Sequence, residues 1–393
     1  MKQADQIALL EQLLGYHASG TTAMAPAPWR NEVACFTDPE RFAREREVLL
    51  RRHPQFLGFA SEWAKPGDYR TDDYTGVPLL ILRGRDGVLR GFLNVCRHRG
   101  SKVVDGCGNA KALSCPYHAW SYDLSGRVTH IPDERSFPGV KAERPALTPI
   151  PVCERHGLVW AIPTPDGSAS FDIDPYLGAL AGELAAYGFQ SWHPYQTRAI
   201  PEPMNWKLVV DTFLEGYHIG FLHQKTLGPI LHGNLTEFTA YGANHRLTVA
   251  RRKLDRLRTM PKSEWDAPWY TTILYGLFPN TIFIMQGDHV EVFRIFPDGD
   301  SIGASVMTLA FYTPEPTTTD EQRRHWDANM DLVTRVVQTE DFPVGRTIQA
   351  GLASGAQVEL VYGRNEPAMI HWHQQLRRAL GLPVEGVVAS AAE

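Results

Sequence analysis

One stretch constrains this chain more than any other: "CRHRGSKVVDGCGNAKALSCPYHAW", from Cys96 to Trp120. Reduced to its ligand-capable side chains it reads Cys96-x-His98, sixteen intervening residues, then Cys115-x-x-His118. Two thiolates and two imidazoles in this register must be held by two loops brought together by the fold. The chain has only five cysteines (35, 96, 107, 115 and 153), an odd and sparse set for 393 residues. Such a set suits a reducing compartment, where cysteines bind metal or stay inert rather than forming a disulfide framework. Other features agree with a cytoplasmic home. The start, "MKQADQIALLEQLLGYH", carries charges within its apolar periodicity, unlike a signal peptide, and no run approaches a membrane span. A net charge of -5 with mixed signs gives no pointer to nucleic acid or an anionic membrane. The length suggests two domains, each large enough to bury a core.

The texture of the chain changes twice. Residues 5–15 read as an amphipathic helix, and 37–50 as a capped one, with Thr37 or Asp38 ahead of Pro39 as the start signal. From about 55 to 162 come short apolar runs, "VPLLILRG", "LRGFLNVC" and "GLVWAIP", separated by glycine-containing turns, the pattern of a small all-β module. "PTPDGSAS" (163–170) reads as a linker. Helical periodicity returns around 174–188 and 204–222, followed by strands at "HRLTVARR", "NTIFIMQG", "HVEVFRIFP" and "IGASVMTLAFY", then helices over about 318–340 and 366–380. The expected division is 1–50 for N-terminal helices, 51–162 for the β module and 163–393 for an α+β domain, its antiparallel sheet covered by helices.

A second constellation lies in "NWKLVVDTFLEGYHIGFLH", residues 205–223. On a regular helix, at about 100° per residue, Asp211, Glu215, His218 and Leu222 share a face. His223 falls about 140° from His218, so the two imidazoles converge only if the helix loosens or ends between them. Gly216 and Gly220, or a π-bulge, would permit it.

Zinc accepts two sulfurs and two nitrogens, although a zinc finger groups its cysteines together and its histidines together. A Rieske [2Fe-2S] cluster takes two cysteines on one iron and two histidines on the other, which suits one of each from two loops. With Arg97, Arg99, Gly100, Tyr117 and Trp120 flanking the four ligands, the stretch resembles the Rieske domain of the Rieske non-haem iron, aromatic-ring-hydroxylating oxygenases (alpha subunit). The run Asn205-Trp206-Lys207, with Tyr217-His218 followed five residues later by His223, resembles that family's mononuclear iron motif. Similarity extends from "FTDPERF" to "EPAMIHWHQQLRRAL".

The resemblance implies a Rieske domain joined to a helix-grip catalytic domain. It implies a cluster on Cys96, His98, Cys115 and His118, and Fe(II) on His218, His223 and Asp341, the last within "QTEDFPVGRTIQAGLASG", with Glu340 its nearest competitor. It also implies electrons from NAD(P)H through a separate reductase, with or without a ferredoxin, and a homotrimer in which Glu215 bridges the cluster histidine of one subunit to the iron histidine of the next. Most members have Asp where this chain has Glu215; some that oxidise quaternary amines have Glu, within a Glu-Cys-Tyr-His motif that this chain lacks. Asp211 is a candidate second carboxylate in that bridge. The expected activity is hydroxylation, dihydroxylation or oxidative demethylation of a small aromatic or apolar substrate by O2, with quaternary-amine oxidation as the alternative. A Rieske electron carrier without mononuclear iron and a zinc-stabilised ligand-binding protein are the readings from other classes. Tyr217, Phe221, Leu222, Leu227, Met285 and Phe293 are pocket candidates that equally fit ordinary core; no single arginine announces a carboxylate. Cys107, matching no ligand position, is expected to be a buried filler.

Overall fold

Strands form where apolar residues alternate, and turns fall at the glycine-containing steps between them. The computed structural model describes residues 1–143 and 145–384, and the chain divides into two units. One is Arg46–Pro175 with Gly188–Trp192; the other is Met1–Glu45, Tyr176–Tyr187 and the chain from His193 onward.

The first unit is built on a five-stranded antiparallel sheet in the order Pro149–Ile150, Leu89–Leu93, Leu79–Arg83, Asp68–Asp72, Cys107–Asn109. Two three-stranded sheets accompany it. Its central strand is apolar on both faces, so successive side chains feed two cores. Leu80 and Leu82 pack with Phe92, Trp120 and Tyr122, while Leu79 and Ile81 pack with Leu57, Trp63 and Ile150. Cys96 and Cys115 belong to the first of these cores. Cys107 does not behave as the expected filler: it is exposed, because its strand is the sheet's edge and pairs only with Asp68–Arg70.

The second unit centres on a seven-stranded antiparallel sheet. Its strand order is His193–Glu202, Ser305–Thr313, Val290–Pro297, Thr281–Met285, Thr271–Leu277, Asn244–Arg251, Leu231–Tyr241. The helix Pro367–Ala379 packs on the last two strands, and Trp206–Asp211 packs on Val290–Pro297 and Ser305–Thr313. Asp38 accepts from the backbone N–H of Arg41 (2.8 Å), starting the helix Pro39–Glu45.

Two helical expectations are corrected. The helix read over 204–222 is two short pieces, Trp206–Asp211 and Ile219–Leu222. Asn205 starts the first by accepting from Lys207 N–H (3.0 Å). The second is preceded by Glu215, whose carboxylate accepts from the N–H groups of Tyr217 and His218 and so takes donors that a continuous helix would send to carbonyls. The helix read over 318–340 stays α-helical only over Asp320–Val336, from the Thr319/Gln322 capping box. It widens into a π turn at Val337–Asp341 and resumes as Phe342–Ala353, a helix that the sequence reading lacked, with Pro343 in its first turn, where a missing N–H costs nothing.

Candidate metal centres

In the β unit, two loops carry the Cys/His pairs. Tyr122 Oη accepts from the N–H of Arg97 (2.9 Å), so its own hydrogen is free for Cys96 Sγ at 3.2 Å. Burial opposes a thiolate at Cys115, but the N–H groups of Tyr117 and His118 and the Cys96 thiol outweigh it and hold the pKa below the usual cysteine value. The rings of His98 and His118 lie 4.7 Å apart between centroids. Trp120 stacks on His98 at 4.9 Å and 3°, fixing its plane. His98 Nδ1 is buried without a hydrogen-bond partner, an orphan that a metal bond would satisfy. His118 is half-buried, with Nε2 held by Arg99 at 2.7 Å. The donor set fits a two-sulfur, two-nitrogen cluster. Tyr122 was absent from the sequence reading, although it lies only two residues past Trp120; its hydroxyl is what organises the Cys96 loop.

In the second unit, His218, His223 and Asp341 come together, with one ligand atom from each lying within 4.8 Å of the others. The break after Asp211 makes this convergence possible: His218 immediately precedes, and His223 immediately follows, the single turn Ile219–Leu222. Each imidazole is gripped from behind by a carboxylate. Glu215 Oε1 pairs with His218 Nδ1, and Glu340 Oε2 lies 2.6 Å from His223 Nδ1 while also accepting from Thr226 Oγ1 (2.8 Å). The Nε2 atoms are thereby turned toward Asp341 Oδ1, at 3.6 Å from His218 and 3.2 Å from His223. Glu340 is thus the partner of His223, and its neighbour Asp341 faces the Nε2 atoms. The π turn lets two consecutive acids reach opposite nitrogens of one ring. Burial disfavours a charge on His223, yet the hydrogen bonds and attraction of Asp341 and Glu340 overcome it and raise its pKa. A pocket that favours positive charge and offers two nitrogens and a carboxylate fits a divalent metal of the facial-triad type.

Asp211 borders the same hollow as Glu215 and His218. Its Oδ1 is 2.8 Å from Nε2 of His373, which is buried and also contacts Tyr362 Oη and Asn31. No hydrogen bond joins Asp211 to Glu215 among the described residues, so the expected second carboxylate is committed to a buried ion pair.

His218, His223 and Asp341 line a cavity of about 350 Å³, whose wall is apolar through Phe213, Leu247, Val249, Leu274, Ile284 and Phe293. Of the anticipated pocket residues, Leu227 and Phe293 line it. Tyr217 and Phe221 are exposed, Leu222 faces a different hollow, and Met285 is core. Arg251 also lines the cavity, against the expectation that no arginine would stand out.

The Rieske [2Fe-2S] domain matches residues 53–147, and the ring-hydroxylating alpha subunit (catalytic domain) matches 189–382. The carnitine monooxygenase oxygenase subunit of Escherichia coli K12 is 33% identical over 337 residues, covering 83% of this chain and 85% of its own. The chlorobenzene dioxygenase subunit alpha of Cupriavidus sp. PS12 is 34% identical over 201 residues, 48% of this chain and 43% of its own. In fold, the chain resembles a quaternary ammonium Rieske monooxygenase solved with L-carnitine (TM-score 0.76, 21% identity, 91% of this chain and 96% of the other).

Proposed function

The chain belongs to the Rieske non-haem iron oxygenases, and on that premise we propose that it oxidises a small organic molecule bearing a methylated nitrogen in the cavity beside His218, His223 and Asp341. Its cofactors are a Rieske cluster and mononuclear iron. We assign the cluster to Cys96, His98, Cys115 and His118, and the iron to the three cavity residues. Bound there, the cluster supplies single electrons and the ferrous iron activates oxygen.

The residues themselves do three things. Glu215 and Glu340 hold the two imidazoles by their Nδ1 atoms, fixing ring orientation and raising basicity at Nε2. The apolar wall excludes water and positions a C–H bond at the triad. Glu215 also borders a second hollow, with Asp211 and Glu366. From there it can meet His118 of an adjacent copy in a homotrimer, provided that Arg99 yields His118 Nε2. Over one turnover O2, two electrons and two protons are consumed: one oxygen atom enters a C–H bond and the other leaves as water. At an N-methyl group the hydroxylated carbon then departs as formaldehyde.

The observation that carries this reading is one mostly apolar cavity with all three ligand-capable residues on its wall. The methylated-nitrogen class is supported by the relative that aligns along most of the chain, a carnitine monooxygenase subunit, and by Glu215. An aromatic substrate is the second reading, favoured by the apolar wall. We expect about three iron atoms per chain, and oxygen uptake with formaldehyde release when trimethylammonium compounds and a surrogate NAD(P)H-dependent reductase are supplied. Uptake with aromatic hydrocarbons alone would select the second reading; bound zinc, or two iron atoms per chain, would remove both.

A further inference from the structure

The sheet wall of the cavity changes character toward one end. Along Asn244–Arg251 the lining residues are Leu247, Val249 and Arg251, alternate positions on one face. Leu247, Leu274, Ile284 and Glu291 lie in register across four strands. Arg251 closes its strand beyond that row, and Gln286 follows the end of Thr281–Met285.

These polar residues are connected in a particular order. Glu291, which is buried, accepts from Gln286 Nε2 at 3.0 Å. That contact turns Gln286 Oε1 to Arg251 Nη2, at 2.5 Å, while Arg251 Nε donates to the carbonyl of Thr271 at 3.0 Å. Both partners of the guanidinium are neutral, and among the described residues no carboxylate stands at ion-pair distance from it. The nearby acids are engaged by histidines. His289 lies 2.7 Å from Asp288 and 3.4 Å from Glu291, and His325 lies 2.9 Å from Asp288. Burial opposes a charge on His289, but these two acids lift its pKa to about 9, so at neutral pH it sets one positive charge between them. Burial also holds Arg251 below the usual arginine value, against the pull of Glu291 and Asp288. Gln286 is therefore a neutral spacer: it fixes the guanidinium without discharging it and leaves Nη1 uncommitted.

We propose that Arg251 determines the specificity of this cavity by docking a carboxylate of the substrate on its free Nη1, while the group to be oxidised lies beside His218, His223 and Asp341. The inference rests on the assignment of this cavity as the substrate site. It narrows the substrate class to acids, and with the methylated-nitrogen reading to zwitterions.

Calorimetric titration of the holoenzyme with two matched pairs tests it: trimethylammonioacetate against its methyl ester, and benzoate against benzamide. Charge-assisted hydrogen bonds predict that the acid binds about ten- to a hundredfold more tightly than its neutral-headed partner in at least one pair. Arg251→Gln should abolish that preference, and Arg251→Lys should keep part of it. Equal binding of acid and partner in both pairs, or failure of both acids to bind, would overturn the proposal on the wild-type protein alone, whatever the folding of the variants. A preference that survives Arg251→Gln would do the same. If only benzoate shows the Arg251-dependent preference, the carboxylate inference stands and the methylated-nitrogen reading falls.

Discussion

Glu340 shows what a single side chain contributes when it stands behind a ligand rather than in its place. It accepts from both His223 Nδ1 and Thr226 Oγ1, so its carboxylate is fixed at two points. Glu340→Gln should weaken iron binding about 10- to 100-fold, the usual cost of removing such an orienting partner, whereas Asp341→Ala should abolish it. Iron content after dialysis against a graded chelator series distinguishes these outcomes; equal retention in both variants would contradict the assignment. The Asp211–His373 pair makes a prediction about pH. Burial works against a charged His373, but Asp211 prevails and raises its pKa from the ordinary 6.5 to about 9. Because the folded value lies above the unfolded one, the pair contributes its full stability below about pH 6.5 and loses it as pH rises through about 9. Asp211→Asn should cost about 3 kcal/mol at pH 6 and progressively less toward pH 9. Chemical denaturation across that range, with an identical pH profile in the variant and the wild type, would refute the pair as its source.

The π turn at Val337–Asp341 is the element on which the second centre depends. It inserts one residue into the helix geometry so that neighbouring acids reach both sides of one imidazole. Deleting Thr339 should restore α-helical register and rotate Glu340 and Asp341 by about 100° relative to the preceding helix. The variant should keep the visible spectrum of the Rieske cluster while losing about one iron atom per chain; retention of that iron would show that the turn is dispensable. How much of this could be read from the sequence follows from what sequence carries. Strand positions came from alternation, and the Cys/His loops from spacing, because both are local. The five-residue step from His218 to His223 showed that the helix must yield, but not that it breaks after Asp211, since the cause is a side-chain carboxylate taking backbone N–H groups. The π turn likewise has no periodic signature, so Glu340 looked like a rival to Asp341 instead of its complement. Arg251 was invisible for another reason: what marks it is neutral company, a property of three strands and the loop beside them.

At the scale of the whole molecule, the two units have separate cores, so damage to one should spare the other. Glu215→Gln tests whether copies cooperate. Because Glu215 is the partner of His218 Nδ1, the substitution should also weaken iron binding, so with iron restored to the wild-type content the variant should keep the cluster spectrum while slowing reoxidation of the reduced cluster by oxygen and substrate at least tenfold in stopped-flow traces. Wild-type decay in that variant, or turnover by a species that scatters as a monomer, would reject the bridge between subunits. Four of the five cysteines are buried and Cys107 alone is exposed, on the edge strand of the β unit. A cysteine-free background cannot be made here without sacrificing Cys96 and Cys115. None is needed, because a maleimide fluorophore should attach once per chain, at Cys107, and Cys107→Ser should abolish the labelling. The dye would then report, by its anisotropy, when a reductase docks and when labelled and unlabelled chains exchange.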